Sequence, residues 1–216
     1  MKLLIATPTY DGGVRHAEAL VALERGGPRP KTAGALRPRT SLLCYARNLA
    51  LAQAANEDCT HLLYLDADVE PLGEDWFMVL YDEMQRSGAQ ILGGVVALKD
   101  GSGETSIAVD HGDIYNPVRY TLQDLQGRRT WSEPTLRVST GCMLLDLSGE
   151  WWQGLAFSTS DLLGTTPDGQ RVAITAPEDY IFCAAAERLH RITIAATTAI
   201  QLVHWDGGTA YPNWVD

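Results

Sequence analysis

Two aspartates stand one residue apart at the end of an apolar run, in Thr60-His61-Leu62-Leu63-Tyr64-Leu65-Asp66-Ala67-Asp68-Val69-Glu70-Pro71. A short run rich in Leu and Tyr reads as a buried strand. Side chains alternate along a strand, so continued extension puts Asp66 and Asp68 on one side. Carboxylates paired in this way repel each other, and a divalent cation with oxygen ligands relieves the repulsion. The place also suits a ligand, because open α/β sheets bind beyond the carboxyl ends of their strands. Taken alone, the triplet reads equally well as a solvent-facing turn.

Three more polar groups stand out, Thr7-Pro8-Thr9-Tyr10-Asp11, Glu178-Asp179 and His204, and three of the four follow an apolar run or lie a short loop beyond one. His204 can add a nitrogen ligand, and an oxygen-rich site with one imidazole suits Mn²⁺ somewhat better than Mg²⁺. The plain alternative for His204 is a surface histidine. Glu178 and Asp179 fall in the first turn of an expected helix, where the dipole favours acids for structural reasons alone. Arg47 and Asn48 interrupt an otherwise alanine- and leucine-rich helix. A guanidinium there can hold a phosphate or Asp66 by paired hydrogen bonds, or can serve only as a core salt bridge.

The elements that must position these groups can be read in order. Lys2 to Thr7 is a strand, and residues 14–25 have helical spacing. A polar connection with room for a short strand runs from Lys31 to Pro38. Thr40 or Ser41 can cap the next helix, which carries Leu42, Leu43, Ala46, Leu49, Ala50 and Ala54. Trp76 to Ser87 is a helix ended by Gly88. Gln90 to Leu98 is a strand whose Gly93-Gly94 implies close approach by a neighbour or ligand. Residues 99–136 are long, polar and poorly periodic, which marks a functional stretch or one holding short strands. Val138 to Leu147 is a strand, 151–169 a loop, and a helix runs from Pro177 to about Leu189. Strands at Arg191–Ala195 and Ala199–Val203 precede a short tail. The β, α, α, β start predicts an α/β fold, a single domain with a mostly parallel central sheet flanked by helices.

Composition narrows the function. The 216 residues carry a net charge of −10, which disfavours general attraction to nucleic acid or anionic membrane. Between Arg25 and Asn56, however, there are six basic residues and no acidic one, which suits a local anionic ligand or a basic loop. No apolar run reaches the roughly 20 residues of a bilayer span. The four cysteines are widely spaced, as expected of reduced thiols in a cytoplasmic protein.

The order "TPTYDG", "ARNLAL", "LLYLDADVEP", "TGCMLL", "PEDYIFC", "HWDGG" resembles the GT-A family of nucleotide-sugar glycosyltransferases over nearly the whole chain. The nearest resemblance is to small members encoded by bacteriophages. It implies one GT-A, Rossmann-like domain, with residues 1–98 binding nucleotide and 99–216 serving acceptor and catalysis. It implies transfer from a nucleotide-diphosphate donor, a UDP-sugar first, aided by Mn²⁺ or Mg²⁺ on Asp66, Asp68 and His204. Thr7, Pro8, Tyr10, Asp11, Arg47 and Asp66 would bind the donor. Asp179 matches the acidic residue that deprotonates the acceptor hydroxyl in inverting members, with Glu178 in a lesser role. His111 and Asp113, in the long polar stretch, are placed to touch either donor sugar or acceptor, and Trp131, Trp151 and Trp152 to stack on an acceptor sugar or base or, equally, to close the core. The phage likeness suggests hydroxymethylated DNA as acceptor, its backbone held by the basic segment 25–47 and by Arg119, Arg128, Arg129 and Arg137; a saccharide or protein is the alternative. "LLYLDADV" also fits the first motif of haloacid-dehalogenase-like phosphatases, but Lys99 is the only lysine after it.

Overall fold

The computed structural model describes residues 1–9, 31–36 and 42–215, with backbone alone for 31–36. The expected helix over 14–25 and the caps Thr40 and Ser41 lie outside the described residues. A seven-stranded sheet carries the fold. Its strands are β1 (Lys2–Ala6), β2 (Lys31–Leu36), β3 (His61–Leu65), β5 (Ile91–Gly94), β8 (Thr130–Trp131), β10 (Cys142–Asp146) and β13 (Ile194–Thr197), in the order β2-β1-β3-β10-β5-β13-β8.

The expectation of one mostly parallel, Rossmann-like GT-A sheet is overturned. The described residues form four sheets with only three short helices, and most strand pairings are antiparallel. In the large sheet β1 is parallel to β2 and β3, and β5 to β13. Strand β10 runs against both β3 and β5, and β8 against β13. Hydrophobic periodicity marks a strand as buried but carries no direction, so Val138–Leu147 could not be oriented from sequence. The polar stretch 99–136 holds β6 (Glu104–Val109) and β7 (Val118–Thr121), which build a second sheet with β9 (Leu136–Arg137). β11 (Ser160–Thr165) and β12 (Arg171–Ala176) form a separate hairpin. The expected tail is a hairpin of β14 (Leu202–Asp206) and β15 (Thr209–Pro212), with β14 paired to β4 (Val69–Pro71).

Alternation along the central strands divides the core. Leu4, Ala6, Leu62 and Tyr64 pack toward α1 (Leu43–Asn56) and α3 (Glu178–His190). Leu3, Ile5, Leu63 and Leu65 pack against Trp76, Phe77, Leu80 and Met84 of α2 (Trp76–Ser87) on the other face. Helix α2 ends at Gly88, whose φ of 66° is the left-handed stop that glycine adopts without strain. The four cysteines are free. Among the described residues no helix is long and apolar enough to cross a membrane.

The neighbour implied by Gly93-Gly94 is protein. A Cβ on Gly93 would lie 2.5 Å from the Cβ of Val138, which is held by its own backbone. Gly93→Ala therefore forces β5 away from the segment that follows β9. It should lower unfolding free energy by about 2 kcal/mol, read as a lower urea midpoint at unchanged slope.

Candidate functional site

Strand β3 stops at Leu65, and the chain turns at once. The Val69 amide donates to the Asp66 carbonyl at 3.0 Å, so extension does not continue through the two aspartates. The same-side argument from strand alternation thus fails here. The turn gives the two carboxylates different partners while leaving Asp68 close enough to disfavour the ionised form of Asp66.

Asp66 faces α1. Arg47 is 3% exposed, and its Nη2 lies 3.8 Å from Asp66 Oδ1. Its Nη1 pairs with Glu178 at the start of α3. The helix carrying it is fixed from both sides. Tyr64 donates its hydroxyl hydrogen to the Arg47 carbonyl at 2.8 Å. Asn48 donates to the Phe157 carbonyl at 2.9 Å and accepts from the Phe157 amide at 2.8 Å. The two polar residues that interrupt an apolar helix therefore do separate work: Arg47 gathers carboxylates, and Asn48 clamps the 151–158 loop. The clamp was not legible in the sequence, because its partner is a distant backbone.

Asp179 is 7% exposed. Its Oδ2 accepts from the Thr140 amide at 3.2 Å, and its Oδ1 from the Tyr180 amide at 2.9 Å. A carboxylate has about four lone-pair sites, so two remain for another partner. Thr140 reaches this edge because β10 is antiparallel: Cys142 pairs with Leu65, and the Gly141 carbonyl accepts from the Asp66 amide at 3.1 Å. Three buried polar atoms here, Arg47 Nε and Nη1 and Thr140 Oγ1, have no hydrogen-bond partner among the described residues, although Nη1 meets Glu178 as an ion pair. Orphaned groups of this kind call for a ligand or water.

Asp68 faces the other way, toward solvent, with 42% of its side chain exposed. Its Oδ2 pairs with the Lys99 ammonium, and His204 Nε2 lies 3.7 Å from its Oδ1. His204 arrives by sheet pairing, as β14 sets it opposite Val69. Its Nδ1 is 2.7 Å from the Ala97 carbonyl. A carbonyl can only accept, so Nδ1 carries the hydrogen and Nε2 is turned to Asp68. Metal-ligating histidines are oriented by this kind of second bond. Asp68 and His204 thus supply the donor types that fit Mn²⁺. Asp66 is turned to Arg47 instead, and among the described residues no group of three His, Cys, Asp or Glu is gathered to hold a metal.

The remaining expectations divide. Thr7 is buried and Pro8 half-buried just past β1. The parallel register ends at Ala6↔Tyr64, so Thr7 and Pro8 leave the sheet at the end from which β3 runs out into Asp66. Tyr10 and Asp11 lie outside the described residues. Trp151 and Trp152 donate to the carbonyls of Asp146 and Leu147 and pack on the core, as does Trp131 beneath Arg128. Arg137 is buried against Asp110 and Glu187, Arg119 binds Tyr180, and Arg129 binds Glu83. Arg137 and Arg119 are thus committed to the fold, while Arg129, with 63% of its side chain exposed, and Arg128, with 41%, face solvent. His111 and Asp113 sit exposed on a loop beside a cavity of about 560 Å³ on the outer face of α3. Tyr115, Arg137, Ile181, Ala185 and Glu187 line it, and Ile181 is one helical turn from Glu178.

Burial raises the pKa of Asp66, against the pull of Arg47. Burial likewise raises that of Asp179, against Arg47 and the amides of Thr140 and Tyr180. Both bind protons more tightly folded than unfolded. Their contribution to stability therefore falls as pH climbs from the ordinary carboxylate range to the raised values. Arg47→Met removes the charge that opposes this. We expect it to cost about 3 kcal/mol at pH 7 and less at pH 5, where the orphaned carboxyls take up protons. Urea unfolding at both pH values checks this.

No family model matches the chain, and no curated protein matches it. Solved structures do. The crystal structure of A197 from STIV superposes with a TM-score of 0.58 at 17% identity, covering 95% of this chain and 86% of that one. S. aureus TarS 1–349 superposes with a TM-score of 0.49 at 13% identity, covering 98% of this chain and 60% of that one. At 17% identity the likeness to A197 is one of fold alone.

Proposed function

We propose that the chain is a metal-dependent glycosyltransferase that moves a sugar from a nucleotide-diphosphate donor, a UDP-sugar, to an acceptor hydroxyl. One observation carries this reading. A buried arginine joins Asp66, at a strand end, to the acidic start of α3, while Asp68 and His204 stand beside it facing solvent. That edge offers positive charge to a diphosphate, oxygen and nitrogen donors to a cation, and a carboxylate to an acceptor.

In this reading residues 1–98 hold the nucleotide, with Thr7, Pro8, Tyr10 and Asp11 at the base and ribose. Asp68 and His204 hold Mn²⁺ or Mg²⁺, with Asp66 behind them. The cation supplies stabilisation of the charge that collects on the departing diphosphate. Arg47 orients Asp66 and Glu178 and adds its own charge to the same region. Asp179 takes the proton from the acceptor hydroxyl through a lone pair left free by its two amide bonds. Its raised pKa gives it more proton affinity than an ordinary aspartate. The acceptor enters from the 99–216 half, where the cavity on α3 begins one turn from Glu178. A cavity lined by Tyr115, Ile181 and Ala185 suits an acceptor with an apolar ring face, such as a sugar. Arg119 and Arg137 are committed to Tyr180, Asp110 and Glu187, which leaves the exposed Arg128 and Arg129 of that set to meet a DNA backbone.

A thermal-shift screen of nucleoside diphosphates tests the donor site. UDP with Mn²⁺ should raise the midpoint by a few degrees, and Asp68→Ala should lose the Mn²⁺-dependent part. Equal shifts from UDP with and without Mn²⁺ would contradict the metal assignment. For Asp179, burial favours the neutral acid, so the acidic limb of kcat/KM should lie above the ordinary carboxylate range. Asp179→Asn should cut transfer about 10³-fold and remove that limb while leaving UDP binding intact.

A further inference from the structure

Lys99 has no role in the reading above, yet its ammonium sits on the carboxylate assigned to the metal. It is the only lysine beyond residue 31. Its backbone is firmly placed. The Leu98 amide donates to the Glu104 carbonyl at 2.9 Å, Ala97 bridges to Thr105, and the Ala97 carbonyl is the acceptor for His204. Asp100 Oδ1 accepts from the amide and hydroxyl of Ser102, at 2.9 and 2.6 Å, and shapes the turn that follows. The side chain beyond this anchor is a four-carbon stem ending in a compact charge that can swing. It is 30% exposed, on the solvent side of Asp68. Burial alone would favour protonated Asp68, but His204 and Lys99 hold its carboxyl well below the usual range.

A lysine ammonium and a divalent ion repel each other and cannot share one carboxylate edge. A diphosphate arriving at the same edge carries charge that either cation can neutralise. We propose that Lys99 is the resident cation of the donor site. It neutralises Asp68 while no metal is bound, gives up that carboxylate to an arriving divalent ion, and turns its ammonium onto the donor's diphosphate. This rests on the donor-site reading and adds to it a competition between two cations for Asp68. Metal then enters most readily together with a diphosphate, because the nucleotide gives the displaced ammonium somewhere to go.

The test compares wild type, Lys99→Gln and Lys99→Arg. Mn²⁺ binding without nucleotide is read by electron paramagnetic resonance, and UDP binding in chelator by calorimetry. Lys99→Gln should bind Mn²⁺ about tenfold more tightly and UDP without metal about tenfold more weakly. Lys99→Arg should keep the metal-free UDP binding that Lys99→Gln loses. A lysine that merely supported the local fold would loosen Mn²⁺ binding when removed. Mn²⁺ affinity in Lys99→Gln equal to or below that of wild type overturns the proposal, while normal UDP and Mn²⁺ binding by wild type would leave the donor site standing. If wild type binds UDP neither with nor without Mn²⁺, the donor-site reading fails and takes this proposal with it.

Discussion

A guanidinium with 3% of its surface exposed is costly unless carboxylates surround it, and Arg47 meets that condition at the edge of the sheet. Its partners come from separate parts of the chain: Asp66 from the end of β3, Glu178 from the start of α3. Neither element can shift far without stranding a buried charge. The hydroxyl of Tyr64 and the clamp of Asn48 on Phe157 hold α1 in the position this requires. Phe157 in turn stacks on Phe182 of α3 with centroids 4.2 Å apart, so the helix bearing Glu178 and Asp179 is tied to the same anchor.

The second constraint is the direction of β10. A parallel strand between β3 and β5 would deliver its carboxyl end beside Asp66. The antiparallel strand delivers its amino end, and with it the amide of Thr140 for Asp179 and the carbonyl of Gly141 for the Asp66 amide. Inserting one reversed strand therefore gives this edge a backbone donor for one carboxylate and a fixed starting point for the turn that separates Asp66 from Asp68. The hairpin of β14 and β15 completes the edge by setting His204 opposite Val69.

Much of this was legible in the sequence, and the losses have physical reasons. Helix α2 shows its amphipathic spacing and its Gly88 stop, and matches the expected Trp76–Ser87. Helix α3 begins with its two acids as expected. Contact of Arg47 with Asp66 was one of the readings open to an arginine interrupting an apolar helix, whereas its pairing with Glu178 had no signal in the sequence. Strand direction did not follow, because an apolar run buried on both faces has the same composition either way. The short strands within 99–136 pair with one another through backbone bonds, which leave little periodicity. The partners of Arg119, Arg129 and Arg137, which are the Tyr180 hydroxyl, Glu83 and Asp110, are distant in sequence and so leave no local signal. Lys99 was noticed only as a lone lysine, 31 positions from the aspartate it pairs with.

The central claim is that the solvent-facing side of Asp68 and His204 is where a cation and a diphosphate meet. Anomalous diffraction at the manganese edge, from crystals grown with Mn²⁺ and UDP, tests it most directly. The account predicts a peak in contact with Asp68 and His204 Nε2, with the diphosphate oxygens completing its coordination and Lys99 turned away from Asp68. A peak elsewhere, with UDP bound away from this edge and Lys99 still on Asp68, would contradict it.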